Sequence, residues 1–232
     1  MTSLAGRTAV VTGASRGVGR ATALRLADGG ALVAVHYSTG VDEAGEVVDT
    51  IRKNGGTAFA VQADLSAADG PERLWSAFDE GAADATGEAA VDILVNNAAT
   101  SVRATLEETG FEDYERMFAV NVRAPFFMIQ QALGRLRNGA RIVNVTSAVT
   151  RMAFPEVIAY GLTKGALNTL TLRADRQVKP LVDGFSTKKS VSTKGFVCLS
   201  TRRASTCPVL PCVSCPPNSV SAAKNSVPGG GV

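Results

Sequence analysis

The stretch TAVVTGASRGVG, residues 8–19, decides how this chain folds. Its first five residues are apolar or β-branched and read as a strand over 8–12, while an amphipathic helical pattern begins at 17 and runs to 28. Between them stand Gly13, Gly17 and Gly19, spaced G-x-x-x-G-x-G. Many strand–helix turns keep glycine for sterics alone. Here strand, turn and helix occur together, and glycine lets a backbone approach a pyrophosphate while the helix N-terminus supplies partial positive charge. Gly13, Ser15, Arg16, Gly17, Val18 and Gly19 are therefore the candidate phosphate-binding residues.

Outward from this turn the pattern repeats. Further strands are predicted over 31–37, 57–64, 91–98 and 140–147, and helices near 42–54, 70–83, 111–136 and 157–172. The strand runs are apolar almost throughout, as in parallel strands covered on both faces. Alternating strand and helix gives an α/β, doubly wound parallel sheet of the Rossmann type. The aromatic residues of 111–136 read as core or interface, with Pro125 as the expected kink.

The end of the second strand bears on cofactor choice. A carboxylate there would hold the ribose hydroxyls of NADH, but the chain offers His36, Tyr37, Ser38 and Thr39 with no acid. Arg16 in the glycine turn can grip a 2′-phosphate, so NADPH is expected in preference to NADH. His36 is the only histidine. It leaves a Ser-His-Asp or Cys-His hydrolase without a well-placed base and any metal site without imidazole, and reads either as a polar strand terminus or as a direct phosphate contact.

Tyr160 and Lys164 lie four residues apart in AYGLTKGAL and share one helix face. An unperturbed phenol titrates near ~10 and is a poor proton carrier at neutral pH. An ammonium ~4 Å away at an effective dielectric of ~20 contributes up to about 4 kcal/mol, which would lower the phenol by about three pH units. An isolated Tyr-x-x-x-Lys is usually a packed ring and a solvated amine. Ser147 at the end of the fifth strand, together with the glycine turn, gives this pair a catalytic reading.

In chain order TGASRGVG (12–19), ADL (63–65), NNAA (96–99), Asn121, Ser147 and YGLTK (160–164) resemble the short-chain dehydrogenase/reductase family, in particular the 3-oxoacyl-carrier-protein reductases and related NADPH-dependent ketoreductases, over about residues 5–172. Ala99 stands where the family motif usually has glycine. The resemblance implies that Tyr160 protonates a small-molecule carbonyl as hydride arrives and that Ser147 hydrogen-bonds the same oxygen. Lys164 would hold the nicotinamide ribose and lower the tyrosine. Asn121 would kink its helix and anchor a water relaying protons to Lys164. Asp64 and Leu65 would flank the adenine, and Asn97 and Ala98 the ribose. A homodimer or tetramer through the helices at 111–136 and 157–172 is also implied.

Composition divides the 232 residues. Residues 1–172 hold 15 Lys and Arg against 19 Asp and Glu, whereas 173–232 hold 9 against 2, so the net charge of +3 comes from the second part. All four cysteines lie there, with six of the nine prolines. This basic segment has the composition of disorder, with 195–200 its one strand-like run, and nothing in it matches the family's last strands or substrate lid. The abrupt change at Leu172–Arg173 reads as a reading-frame change or mis-joined exon. Irregular cysteine spacing without histidine argues against zinc, and the acidic body argues against nucleic acid. No apolar run reaches the roughly 18 residues of a membrane span and no leader is evident, so a cytoplasmic protein is expected. Two function classes stay open: a carbonyl reductase, and a nucleotide-binding protein impaired in turnover by loss of the lid.

Overall fold

The apolar runs of the sequence become strands, and the inner ones are covered from both sides. β1 (Thr8–Val11), β2 (Leu32–Tyr37), β3 (Thr57–Gln62), β4 (Val91–Asn96) and β5 (Leu136–Asn144) form one parallel sheet in the order β3-β2-β1-β4-β5. The computed structural model describes residues 3–182, with side chains up to Ala174; the readings made of the basic segment beyond lie outside the described residues. α1 (Gly17–Asp28) and α2 (Val41–Lys53) cover one face, where Ala23, Val47 and Ile51 meet Ala9, Val11, Val33 and Val35. α3 (Gly70–Thr86) and α5 (Ala124–Ala132) cover the other, where Trp75, Phe78 and Met128 meet Val10, Leu94 and Ile142. β3 and β5, the outer strands of this order, carry exposed residues that the inner strands lack.

The chain winds from β1 to β3 in one direction and then crosses to β4 on the far side of β1. That reversal opens a crevice above the carboxyl ends of β1 and β4, where doubly wound sheets bind their ligands.

Three boundaries differ from the sequence expectation. The helix expected over 111–136 is α4 (Phe111–Phe118), a π-helical turn at Ala119–Arg123, and α5. A proline ring clashes with the carbonyl four residues earlier, which for Pro125 is that of Asn121, so the distortion falls one turn before the proline. The fifth strand begins at Leu136 rather than 140 and ends at Asn144. Its pairing steps from Val91↔Leu136 to Ile93↔Arg141, a bulge that contains Gly139 at φ +80°. Finally, α6 (Ile158–Val182) continues past the change of composition at Leu172–Arg173. Among the described residues no helix is long and apolar enough to cross a membrane.

The second core has one dominant element. Trp75 is 1% exposed, meets the Phe78 ring edge-on at 5.3 Å and donates its Nε1–H to the Met128 carbonyl at 3.2 Å. Arg135 lies over the same indole at 5.3 Å while it pairs with Asp79. Trp75→Ala is expected to lower stability by about 3–5 kcal/mol, read as a shift of the urea midpoint; a loss below 1 kcal/mol would mean that α3 and α5 do not depend on the indole.

Candidate active site

The crevice is built by hydrogen bonds between the ends of β1 and β4. The Thr12 hydroxyl accepts the N–H groups of Asn97 and Ala98, each at 2.9 Å, and donates to the Val95 carbonyl at 3.3 Å. The Asn97 amide donates to the Thr12 and Gly13 carbonyls at 2.9 and 3.0 Å. Gly19 packs under this joint so closely that a Cβ would lie 2.1 Å from the Gly13 oxygen and 2.5 Å from Asn97 Nδ2. Gly13 itself has φ +63°, and a Cβ there would meet the Ala98 backbone at 2.9 Å. Both glycines are thus required by the fold, and Gly17 at φ +57° opens α1.

Arg16 caps α1 in an extended conformation without a side-chain cap bond, so the first-turn N–H groups keep their partial positive charge. The crevice encloses about 670 Å³. Of the residues expected to bind cofactor, Gly13, Ser15, Arg16, His36, Tyr37 and Ser38 line it, as do Asp64, Leu65, Asn97 and Ala98. Gly17, Val18, Gly19, Tyr160 and Lys164 are not in this lining. Arg116 of α4 and Glu43 of α2 are, and neither was foreseen, because nothing in the sequence brings those helices to the glycine turn. Asp64 turns its carboxylate onto Ser66, accepting from the main-chain N–H at 2.9 Å and the hydroxyl at 2.7 Å; the Ser66 hydroxyl chiefly holds it below the usual carboxylate range.

His36 adopts neither of its two expected roles alone. It is 2% exposed, its Nδ1 accepts the Gly13 N–H at 2.9 Å, and its Nε2 contacts the Ala63 carbonyl at 3.1 Å. Because Nδ1 accepts, Nε2 carries the proton and donates. Burial lowers the imidazole to about 4, which keeps it neutral.

Ser147, Tyr160, Lys164 and Asn121 gather beside β5 and α6. Ser147 stands near enough to the Tyr160 hydroxyl to act on its titration, and the Lys164 ammonium stands 5.6 Å from the Tyr160 ring centre. That ammonium is 2% exposed and donates to the Val145 carbonyl at 2.9 Å. The structure reverses the expectation for the phenol. Burial raises Tyr160 above its ordinary value, Ser147 opposes the rise, and the ammonium is directed to the Val145 carbonyl. Asn121 lies in the π turn that breaks its helix. Its Oδ1 accepts the Thr100 N–H at 2.9 Å, and its Nδ2 donates to the Thr100 carbonyl at 2.8 Å and the Thr163 hydroxyl at 3.0 Å. Its side chain therefore ties the π turn to α6 through Thr163. A second buried chain, Asn96 to Asn144 at 2.8 Å and Asn144 to Thr171 at 3.0 Å, fixes α6 against β4 and β5. The sequence reading missed Thr12, Asn96, Asn144 and Thr163; only Thr12, a hydroxyl directly between strand and glycine, carried a local signal.

A parallel sheet with its glycine turn and crevice at the β1/β4 switch defines a Rossmann-type fold. The chain belongs to the short chain dehydrogenase family, whose profile matches residues 7–182 and so runs ten residues past the change of composition. A hydroxynaphthalene reductase-like protein, Arp2 of Metarhizium majus (strain ARSEF 297), is 42% identical over 170 residues, 73% of this chain and 61% of that protein. The chain thus spans about three fifths of the length of the curated relatives it matches. Among solved structures, landomycin C-6 ketoreductase LanV with bound NADP and rabelomycin is 47% identical, with a TM-score of 0.75 over 77% of this chain and 73% of that one. The reductase LugOII, which catalyses keto-reduction at C1 during lugdunomycin biosynthesis, is 45% identical, with a TM-score of 0.75 over 77% and 71%.

Burial also lowers Lys164, to about 8 from an ordinary 10.5. The unfolded chain then binds the extra proton between about pH 8 and 10.5, so the contribution of this group to stability rises with pH across that window. Side-chain ¹⁵N NMR of labelled lysine should show Lys164 titrating near 8 in the ligand-free protein; a midpoint near 10.5 would mean that its ammonium is hydrated.

Proposed function

We propose that this chain is an NADPH-dependent reductase of a ketone carried on a fused aromatic ring system. The observation that carries the reading is the grouping of Ser147, whose hydroxyl acts on the Tyr160 phenol, with Tyr160 and a buried Lys164 that anchors on Val145. The glycine turn fits a dinucleotide: Gly13, Ser15 and Arg16 line the crevice, and the start of α1, without a side-chain cap, offers N–H groups to a phosphate. When bound, NADPH supplies the hydride. Tyr160 gives its proton to the carbonyl oxygen as that oxygen gains charge, and its raised pKa keeps it protonated and ready to donate in the direction of reduction. Ser147, within hydrogen-bond reach of the phenol, holds the same oxygen. Lys164, anchored on Val145, brings a cation to the nicotinamide end and to the ribose hydroxyls. Arg16 favours NADPH over NADH through the 2′-phosphate, and β2 itself ends without a carboxylate.

The substrate class rests on a trough of about 670 Å³ that Val149, Met152, Phe154, Val157, Ile158 and Leu162 line, between the segment after Ser147 and the first turns of α6. Broad and apolar, it suits a flat ring system, as do the substrates that the names of the relatives state. The outer face of α4 and α5, with Phe111 79% and Phe126 47% exposed, is the surface for association with a second copy.

The test is NADPH oxidation with α-tetralone alongside NADPH binding by fluorescence. Turnover supports the reductase. Binding with no turnover on any ketone would leave the nucleotide-binding alternative. Tyr160→Phe should lower kcat by about 10²–10⁴-fold with NADPH affinity nearly intact; retention of most activity would assign the acid to another group. Arg16→Ala should weaken NADPH by about 1.5–3 kcal/mol and leave NADH unchanged, whereas equal losses would remove the 2′-phosphate contact.

A further inference from the structure

The geometry points to His36 as a positioning residue that sets the glycine turn for the cofactor's pyrophosphate without touching the cofactor. Three segments of the crevice meet at this one residue. Its ring accepts the Gly13 N–H, its main-chain carbonyl accepts the Ala14 N–H at 2.8 Å, and its Nε2–H reaches the carbonyl of Ala63, the residue before Asp64 and Leu65. With both ring nitrogens on the main chain and 2% of the residue exposed, the imidazole has no free donor for a phosphate. Its effect on a ligand runs through the backbone it holds.

The Gly13 bond is the decisive one. Gly13 has φ +63°, so no neighbouring side chain of its own locks its peptide, and its carbonyl is already taken by Asn97. The N–H must be satisfied inside the fold, and His36 Nδ1 is the acceptor that does so. Were that bond lost, the N–H would seek another acceptor by rotating the Thr12–Gly13 peptide, whose carbonyl accepts from Asn97 Nδ2 at 2.9 Å, and the N–H groups of the following turn would lose their aim. The Ala63 bond is different, because it secures a carbonyl at a strand end that is held already by the Ala63 N–H to the Tyr37 carbonyl at 3.1 Å.

Two substitutions separate these bonds. In His36→Asn the amide oxygen takes the place of Nδ1 and keeps an acceptor for Gly13. In His36→Gln the terminal amide takes the place of Nε2 and keeps a donor for Ala63. This inference rests on the NADPH reading, so wild-type binding is measured first, with NADP⁺ by isothermal titration at pH 7.5. The Asn variant should bind within a few fold of wild type, and the Gln variant about tenfold or more weaker, with KM for the ketone unchanged, on the scale of one unsatisfied buried donor. No binding by the wild type would overturn the cofactor reading and this inference with it. Wild-type binding with equal affinities for both variants would overturn this inference alone. Failure of both to give a cooperative melt would also overturn it, by assigning His36 to folding.

Discussion

Everything at the carboxyl end of the sheet depends on one joint, where the Thr12 hydroxyl and the Asn97 amide lock β1 to β4. Thr12 receives two N–H groups from the chain leaving β4, and Asn97 returns two bonds to the chain leaving β1. The main-chain ladder between the two strands ends at the Thr12 N–H on the Val95 carbonyl, so without these side chains the Ala98 N–H and the Thr12 and Gly13 carbonyls would lose the bonds that hold them in a partly buried place. The joint also explains the sequence beneath it: with Gly13 and Asn97 drawn together, the helix that follows can pass only where Gly19 has no Cβ.

A second set of buried polar groups places α6. The asparagine pair of β4 and β5 reaches Thr171, Lys164 reaches Val145, and Asn121 reaches Thr163. These bonds hold α6 from Thr163 and Lys164, within about a turn of Tyr160, to Thr171, about three turns on, so the phenol is aimed by the body of the fold before any ligand arrives. The cost is visible in the charges. Lys164 is held as a desolvated cation, and burial makes Tyr160 harder to ionise. A site that presents a protonated phenol and a weakened ammonium is poised for donation to an oxygen gaining negative charge.

Much of this was legible in the chain. Strand and helix order followed from period, because strands covered on both faces leave unbroken apolar runs such as ALVAVHY and VDILVN. The residues of the glycine turn and of the pair Tyr160–Lys164 could be named because their chemistry is local. What escaped was set by contacts distant in sequence. The π turn needs Asn121 bonded to Thr100 and Thr163, 21 and 42 residues away, and the early start of β5 depends on a bulge against β4. The direction of the phenol's shift could not follow from the i, i+4 spacing, since that spacing says nothing of how deeply the lysine is buried or that the Val145 carbonyl takes its proton donor.

The joint between β1 and β4 can be probed directly by amide hydrogen exchange on the ligand-free protein, residue by residue. If Thr12 and Asn97 organise the crevice in advance, the amides of Gly13, Asn97 and Ala98 exchange as slowly as those of Val10 and Val11 inside β1. Exchange of those three amides at the rate of an exposed loop, while β1 stays protected, would show that the crevice forms only around its ligand and would contradict this account.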